Sequence, residues 1–524
     1  MNNNGSQASP LTIFAIIGAL VLAVYVSSSI LLSQGNQLAG LFYYVMLASG
    51  VTGLIAPRLA FSLLIIQCAY LDLFKRLMVF AGKITMDELF YVLGIAPVTV
   101  VGIAAGLMLR VIFGKTMADA GDIRRFLTAV VLNAVLAGVV FYLGGGIGGT
   151  LREVANGSAY ALLLFIVPLL FRTPEAVSRC ARFIIAVFIP VALYAIYQQV
   201  FGFQAFEIAY LKMNLSIEIK QLEADRVRAF STLNSPTSIS VVASSMAAMA
   251  LGLAFVGKKS RKLGMAMPVA VLVTVVGVGA WAASTVRVGL LLLPVAMAGT
   301  FLFLRPSTTK WFYGTLLTGF GVLVASSAYL YQNIETWTSR LVDMWGGSTF
   351  VEQMINMNSY KDRLNGFANV LLNPDAYTLF GLPNAGLDAG ILAHDPLSNA
   401  LLAYGAVPLA IVIFLGSWGM WRLHTMIFRM HDATLQLLAA SFLANAAGNI
   451  AVTIVNGNLL GTFPVNVFFW VSLAFAVALR HADAVQAASQ PSAPKPEANA
   501  SLPLVRRPPG AAPGRFAPVP RSLQ

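Results

Sequence analysis

The chain has 524 residues, of which 58% are hydrophobic and only 10% charged, and its mean hydropathy is +0.77. That composition excludes an ordinary soluble domain, because such a polypeptide partitions into lipid. The formal net charge of +13 does not mark a nucleic-acid binder, since the cations collect in short segments between apolar runs.

A helix needs about 20 apolar residues to cross the hydrocarbon, and in lipid its backbone groups must be satisfied internally. Apolar runs at 11–33, 38–56, 59–80, 90–113, 125–144, 158–171, 183–202, 236–256, 264–283, 288–304, 311–331, 397–421, 435–455 and 460–479 predict an all-α polytopic membrane protein. About 12–14 transmembrane helices are expected, the run at 158–171 being the shortest. The first run lacks a basic leader and a cleavage site, so it reads as a retained span.

In the third run, Asp72 and Arg76 are four apart, the spacing of a helical salt bridge. Lys75 and Arg76 offer an alternative, a pair of cations at the outer end of that helix able to hold an anionic group. Gly144-Gly145-Gly146-Ile147-Gly148-Gly149 follows a span rather than a strand and is no nucleotide loop. Cys68 falls in a span and Cys180 in a loop, which argues against a disulfide or a cysteine metal site.

Cationic loops come next: Arg172, Arg179 and Arg182; Lys258, Lys259, Arg261 and Lys262; Arg305 and Lys310; Arg422 and Arg429. If the spans alternate, all four lie on one side. Short basic loops mark the cytoplasm. Both termini are then cytoplasmic, and the loops at 203–235 and 332–396 are external. In the first, Glu223-Ala224-Asp225 could hold a divalent ion, but beside Arg226 and Arg228 it reads more simply as charge balance. The second is too long for a plain turn. It contains Arg340, Arg363, Asn373-Pro374 and the run Gly381-Leu382-Pro383-Asn384-Ala385-Gly386. One or two short interfacial helices are expected there, then a turn-rich approach to His394. The membrane domain ends near residue 483. The Pro/Ala-rich basic tail at 484–524 cannot bury enough apolar surface to fold alone.

Three ordered stretches resemble the bacterial O-antigen polymerase and ligase family, membrane glycosyltransferases of the C-type architecture. The first runs from Ala192-Leu193-Tyr194 through Gln198-Gln199-Val200-Phe201-Gly202 to Arg226-Val227-Arg228-Ala229-Phe230-Ser231. It is similar to a family span that ends in Gln and Gly and is followed by an arginine-bearing segment. Ser284-Thr285-Val286-Arg287-Val288-Gly289 resembles the family's Ser-x-x-Arg-x-x. Arg363-Leu364, Leu372-Asn373-Pro374, Phe380-Gly381, His394 and Leu397 to Gly405 resemble its run of Arg, Asn-Pro, Gly-rich turn, His and helix. The resemblance covers roughly residues 180–425. The chain departs at His394-Asp395, where the family often has His-Asn, and at Asn234-Ser235-Pro236, where it often has Pro-Asn.

The resemblance implies metal-independent transfer of a glycan from undecaprenyl diphosphate at the outer face of the inner membrane, with no cofactor. Arginine suits the leaving diphosphate, because its planar fork matches phosphate oxygens and keeps its charge. Arg228 and Arg287 are the expected catalytic cations, with Arg226, Arg340 and Arg363 in substrate-binding roles and Lys75 and Arg76 able to help hold the lipid diphosphate. His394 is the one histidine of four placed externally. Its unperturbed pKa near ~6.5 suits a base for the acceptor hydroxyl. His424, His431 and His481 fall on the cytoplasmic side and read as ordinary.

The expected activity is polymerisation of exopolysaccharide or O-antigen repeat units. The alternative is a ligase that moves the finished glycan to lipid A-core or protein. The implied partners are the polyprenyl-diphosphate-linked oligosaccharide, a glycan or lipid acceptor, membrane lipid and other polysaccharide assembly proteins, with no nucleic acid. A transporter or flippase would also explain the many spans, but it predicts repeated halves and broken helices at the midplane, and the sequence has no such symmetry.

Overall fold

A computed structural model describes residues 37–81, 89–141, 146–212, 228–286, 289–304, 401, 405–456 and 461–489. Among them the chain is helical, without strands. The first group comprises α1 (Gln37–Ile55), α2 (Pro57–Phe80), α3 (Leu89–Ile112), α4 (Ala120–Val140), α5 (Gly146–Asn156) and α6 (Leu163–Leu170), with a 3-10 turn at Ser158–Leu162 before α6. Then come α7 (Pro174–Phe201), α8 (Ala205–Lys212), α9 (Pro236–Gly257), α10 (Met267–Ser284) and α11 (Gly289–Leu302), and finally α12 (Ala406–Phe428), α13 (Ala433–Asn456) and α14 (Val465–Ser489).

Seven of these helices contain a segment long and apolar enough to cross a membrane, which makes this an all-α multi-pass membrane protein. Their outer faces stay apolar: Leu272 and Val275 on α10, and Phe414 and Leu415 on α12, are each more than half exposed. The candidate spans 11–33 and 311–331 lie outside the described residues.

Hydrogen bonds sort the helix ends into two sets. At one end, Arg110 Nη2 donates to the Ile55 carbonyl (2.6 Å), Arg172 to that of Met117, and Ser178 Oγ to that of Leu263. His481 pairs with Asp119 (3.3 Å), and the backbone N–H of His431 donates to Asp483. This basic end carries Arg172, Arg179 and Arg182, the turn from Lys258 to Lys262, and Arg422 and Arg429. At the opposite end, the C-termini of α2, α7 and α10 meet the segment 228–235.

Several sequence-predicted boundaries move. Thr173 caps α7 and Pro174 occupies its first turn, a strong pair of start signals. Arg179, Cys180 and Arg182 are therefore helical rather than in a loop. Arg422 likewise lies within α12, which runs to Phe428 instead of ending near 421. The span expected at 158–171 is a 3-10 turn followed by the eight-residue α6. The glycine-rich stretch becomes the first turn of α5 from Gly146 onward. The loop expected at 203–235 contains α8, and its last residues are packed inside.

Close packing of α1 on α3 depends on glycine. A Cβ added at Gly102 would lie 2.2 Å from the Gly50 carbonyl oxygen, and one at Gly106 would lie 2.6 Å from that of Leu54. Small residues let membrane helices approach until backbones touch. The bundle interior also holds a polar seam. Asn445 Nδ2 donates to Ser472 Oγ (3.0 Å), and Asn449 Nδ2 donates to Ser245 Oγ (3.1 Å), joining α13 to α14 and α9.

Gly102→Val should force α1 and α3 apart and cost at least the roughly 1–3 kcal/mol typical of overpacking. Gly138→Ala, where an added Cβ meets nothing within 4 Å, should be neutral or gain up to about 1 kcal/mol in helix propensity. Thermal unfolding in detergent, read by tryptophan fluorescence, checks both. Equal midpoints for the two variants would contradict the close crossing.

Candidate functional site

The C-terminal turns of α2 carry Asp72, Lys75 and Arg76. Arg76 is 1% exposed. A buried guanidinium needs partners for its fork of N–H donors, and it finds them in two other parts of the chain. Nη1 lies 3.4 Å from Glu207 Oε1 on α8. Nη2 donates to the carbonyls of Ser231 (2.7 Å) and Leu233 (3.2 Å), and Nε donates to its own helix at the Asp72 carbonyl (3.2 Å). Its carbon also sits 4.5 Å from the centre of the Phe230 ring, a cation–π distance.

Glu207 is fully buried, so its carboxylate needs donors as well. Gln198 Nε2 donates to Oε1 (2.6 Å) and the Gln204 N–H donates to Oε2 (3.0 Å). Gln198 then uses its carbonyl oxygen to accept the N–H groups of Phe230 (3.1 Å) and Ser231 (2.6 Å). Thr232 Oγ1 donates to the Ala69 carbonyl and Ser231 Oγ to that of Val191. One network thus ties α2, the end of α7, α8 and the segment 228–235 into a single body.

The expected Asp72–Arg76 ion pair does not form. Asp72 pairs with Lys75 three residues away (2.8 Å), and Arg76 takes Glu207 instead. The two carboxylates balance the two cations. Arg76 is therefore a structural cation, closed to a lipid diphosphate in this arrangement. Lys75 keeps 13% of its side chain exposed, with its ammonium on Asp72.

Arg228 is exposed at the start of the clamped segment. Its neighbour Ala229 is buried and donates its N–H to the Ala283 carbonyl (3.2 Å) at the end of α10. That bond joins the 228–231 segment to the residue just before Ser284. Beyond it, Thr285 adopts φ +53°, and Ser231 in the other segment of the joint adopts φ +56°. Left-handed backbone is uncommon outside glycine and collects at functional sites. The Val286 carbonyl accepts both Trp281 Nε1 (2.8 Å) and Ser240 Oγ (3.2 Å). Thr285 Oγ1 is shielded from solvent without a partner among the described residues. The two segments meet at the end opposite the basic one.

Arg287, His394, Arg226, Arg340 and Arg363 lie outside the described residues, as does Glu223-Ala224-Asp225. Val286, the residue before Arg287, belongs to the joint just described. His424 is buried, with Nε2 3.2 Å from the Phe303 carbonyl. His431 and His481 belong to the basic end. Among the described residues, no cluster of three His, Cys, Asp or Glu could hold a metal ion.

Sequence reasoning missed Glu207. The signal was present: an acid inside the apolar run Ala205-Phe206-Glu207-Ile208-Ala209-Tyr210-Leu211 needs a buried partner, and the unmatched cation nearby was Arg76.

Arg76→Ala strands Glu207 and should destabilise the protein by about 3–5 kcal/mol. The double variant Arg76→Met/Glu207→Gln should lose less than Arg76→Ala alone, because no charge is left uncompensated. Thermal inactivation in detergent distinguishes them, and an Arg76→Ala protein as stable as wild type would show the pair to be incidental.

Compared with protein-family models, curated proteins and solved structures, the chain finds no match.

Proposed function

We propose that this protein is a membrane glycosyltransferase that uses polyprenyl-diphosphate-linked oligosaccharide and joins its repeat units into polysaccharide. The observation that carries the reading is the Ala229–Ala283 hydrogen bond. It holds the Arg228 segment against the segment that leads to Arg287. Arginines at one membrane face suit a diphosphate leaving group, whose charge grows during transfer and is best met by donors already in place. The clamp from Gln198, Arg76 and Glu207 supplies that preorganisation.

Orientation follows from charge. If the basic end faces the cytoplasm, the arginine joint faces the outer side of the inner membrane, where lipid-linked repeat units are presented. Both termini are then cytoplasmic. In this mechanism Arg228 and Arg287 stabilise the departing diphosphate, with Arg226, Arg340 and Arg363 as further phosphate or glycan contacts. His394 takes the acceptor hydroxyl's proton. The attacking oxygen bonds the anomeric carbon, the bond from that carbon to the diphosphate breaks, and polyprenyl diphosphate leaves. No metal or cofactor takes part.

The test uses a strain lacking the protein, complemented with variants, with polysaccharide length read on a gel. Wild type should restore long polymer. Arg228→Ala should lower the yield by about 100-fold, the usual cost of losing one charge-stabilising donor. His394→Ala should leave single repeat units on the carrier. Long polymer stranded on the carrier in the deletion strain would make the protein a ligase instead. An unchanged glycan profile would overturn the glycosyltransferase reading.

A further inference from the structure

The basic end contains a feature that glycan transfer does not use. Between α9 and α10 the chain turns through Lys258, Lys259, Ser260, Arg261 and Lys262, and all four cations are exposed. The turn is tightly built. The N–H groups of Lys259 and Ser260 both donate to the Val256 carbonyl (2.9 Å each), Gly264 N–H to that of Ser260 (3.0 Å), and Met265 N–H to that of Leu253 (3.0 Å). Gly257 and Gly264 cross so closely that a Cβ on Gly264 would lie 2.1 Å from the Gly257 Cα. Leu263 is tucked inside.

A second element anchors this turn from 80 residues away in sequence. Ser178 Oγ donates to the Leu263 carbonyl, and Arg182 Nη2 to that of Lys262 (3.4 Å). Arg182 is thus a fifth cation at the turn, and Arg179, also exposed, follows Ser178 on the same helix. Glu175 is the acid in the first turn of that helix.

A charge that only directs insertion acts through its sign and needs no folded geometry. Here the cations are presented by a fixed turn backed by a neighbouring helix. The depth is also defined. The 22-residue α9 spans about 33 Å, close to the roughly 30 Å hydrocarbon core, so its basic turn lies at headgroup level.

We infer that the 258–262 turn, with Arg179, is a binding site for the phosphate of anionic phospholipid headgroups. A cation near the membrane surface strengthens attraction to anionic lipid by about 5-fold. Neutralising the four turn cations should therefore cost a few hundred-fold in preference.

The experiment uses the full chain purified in mild detergent, titrated with phosphatidylglycerol or phosphatidylcholine, with retained lipid counted by native mass spectrometry. Wild type should retain phosphatidylglycerol over phosphatidylcholine, and millimolar inorganic phosphate should not displace it. Lys258→Gln/Lys259→Gln/Arg261→Gln/Lys262→Gln should abolish the preference. Arg179→Gln, which leaves the turn untouched, should weaken it by about 5-fold and keeps the test decisive if the quadruple variant fails to fold. Equal retention of the two lipids by wild type, displacement by free phosphate, or an unchanged preference in Arg179→Gln would overturn the inference.

Discussion

Burying a guanidinium inside an apolar bundle is costly unless its charge and its donors are met, and that constraint organises one end of this protein. Arg76 cannot be satisfied by its own helix, which supplies only the Asp72 carbonyl. It recruits Glu207 from α8 and two carbonyls from the segment 228–235. Glu207 in turn recruits Gln198, and Gln198 holds the same segment by two N–H groups. Every partner answers a need of another. A stretch that would otherwise be a surface loop is fixed inside the end of the bundle, and Arg228 projects from its edge.

The second organising fact is the division between the two ends. The basic end is closed by short turns, the Arg125–Asp122 ion pair and the His481–Asp119 contact. The other end gathers strained backbone at Ser231 and Thr285, the Ala229–Ala283 joint and the neutralised Asp72, Lys75, Arg76 and Glu207 cluster. The reaction proposed above needs cations held at a membrane face by a rigid support, and at this end Arg228 is the exposed cation beside such a support. The buried amides of Asn445 and Asn449 lie within the bundle between α9, α13 and α14. They act as interhelical ties, worth about 0.6 kcal/mol each in such settings.

Much of the helical framework was legible because lipid imposes one simple rule on sequence: long apolar runs. The runs at 236–256 and 435–455 match α9 and α13 within a few residues. Boundaries failed where local chemistry outweighed hydropathy. Thr173-Pro174 starts α7 well before the apolar run begins, and the short α6 is too small for a span-length window. The site was legible only as sequence neighbours. Spacing favoured Asp72 with Arg76, yet three-residue spacing gave Asp72 to Lys75, and the partner of Arg76 lay 131 residues away. No local pattern encodes such a pairing. The weak sign was a lone acid in an apolar helix, Glu207.

The most direct test of the glycosyltransferase account is reconstitution. The purified full chain in proteoliposomes would receive lipid-linked repeat units in the presence of a metal chelator. Glycan length and released polyprenyl diphosphate would then be measured together. The account predicts chain growth with one polyprenyl diphosphate released per unit joined, undiminished by the chelator. Absence of growth with intact substrate, or growth that stops on chelation, would contradict it.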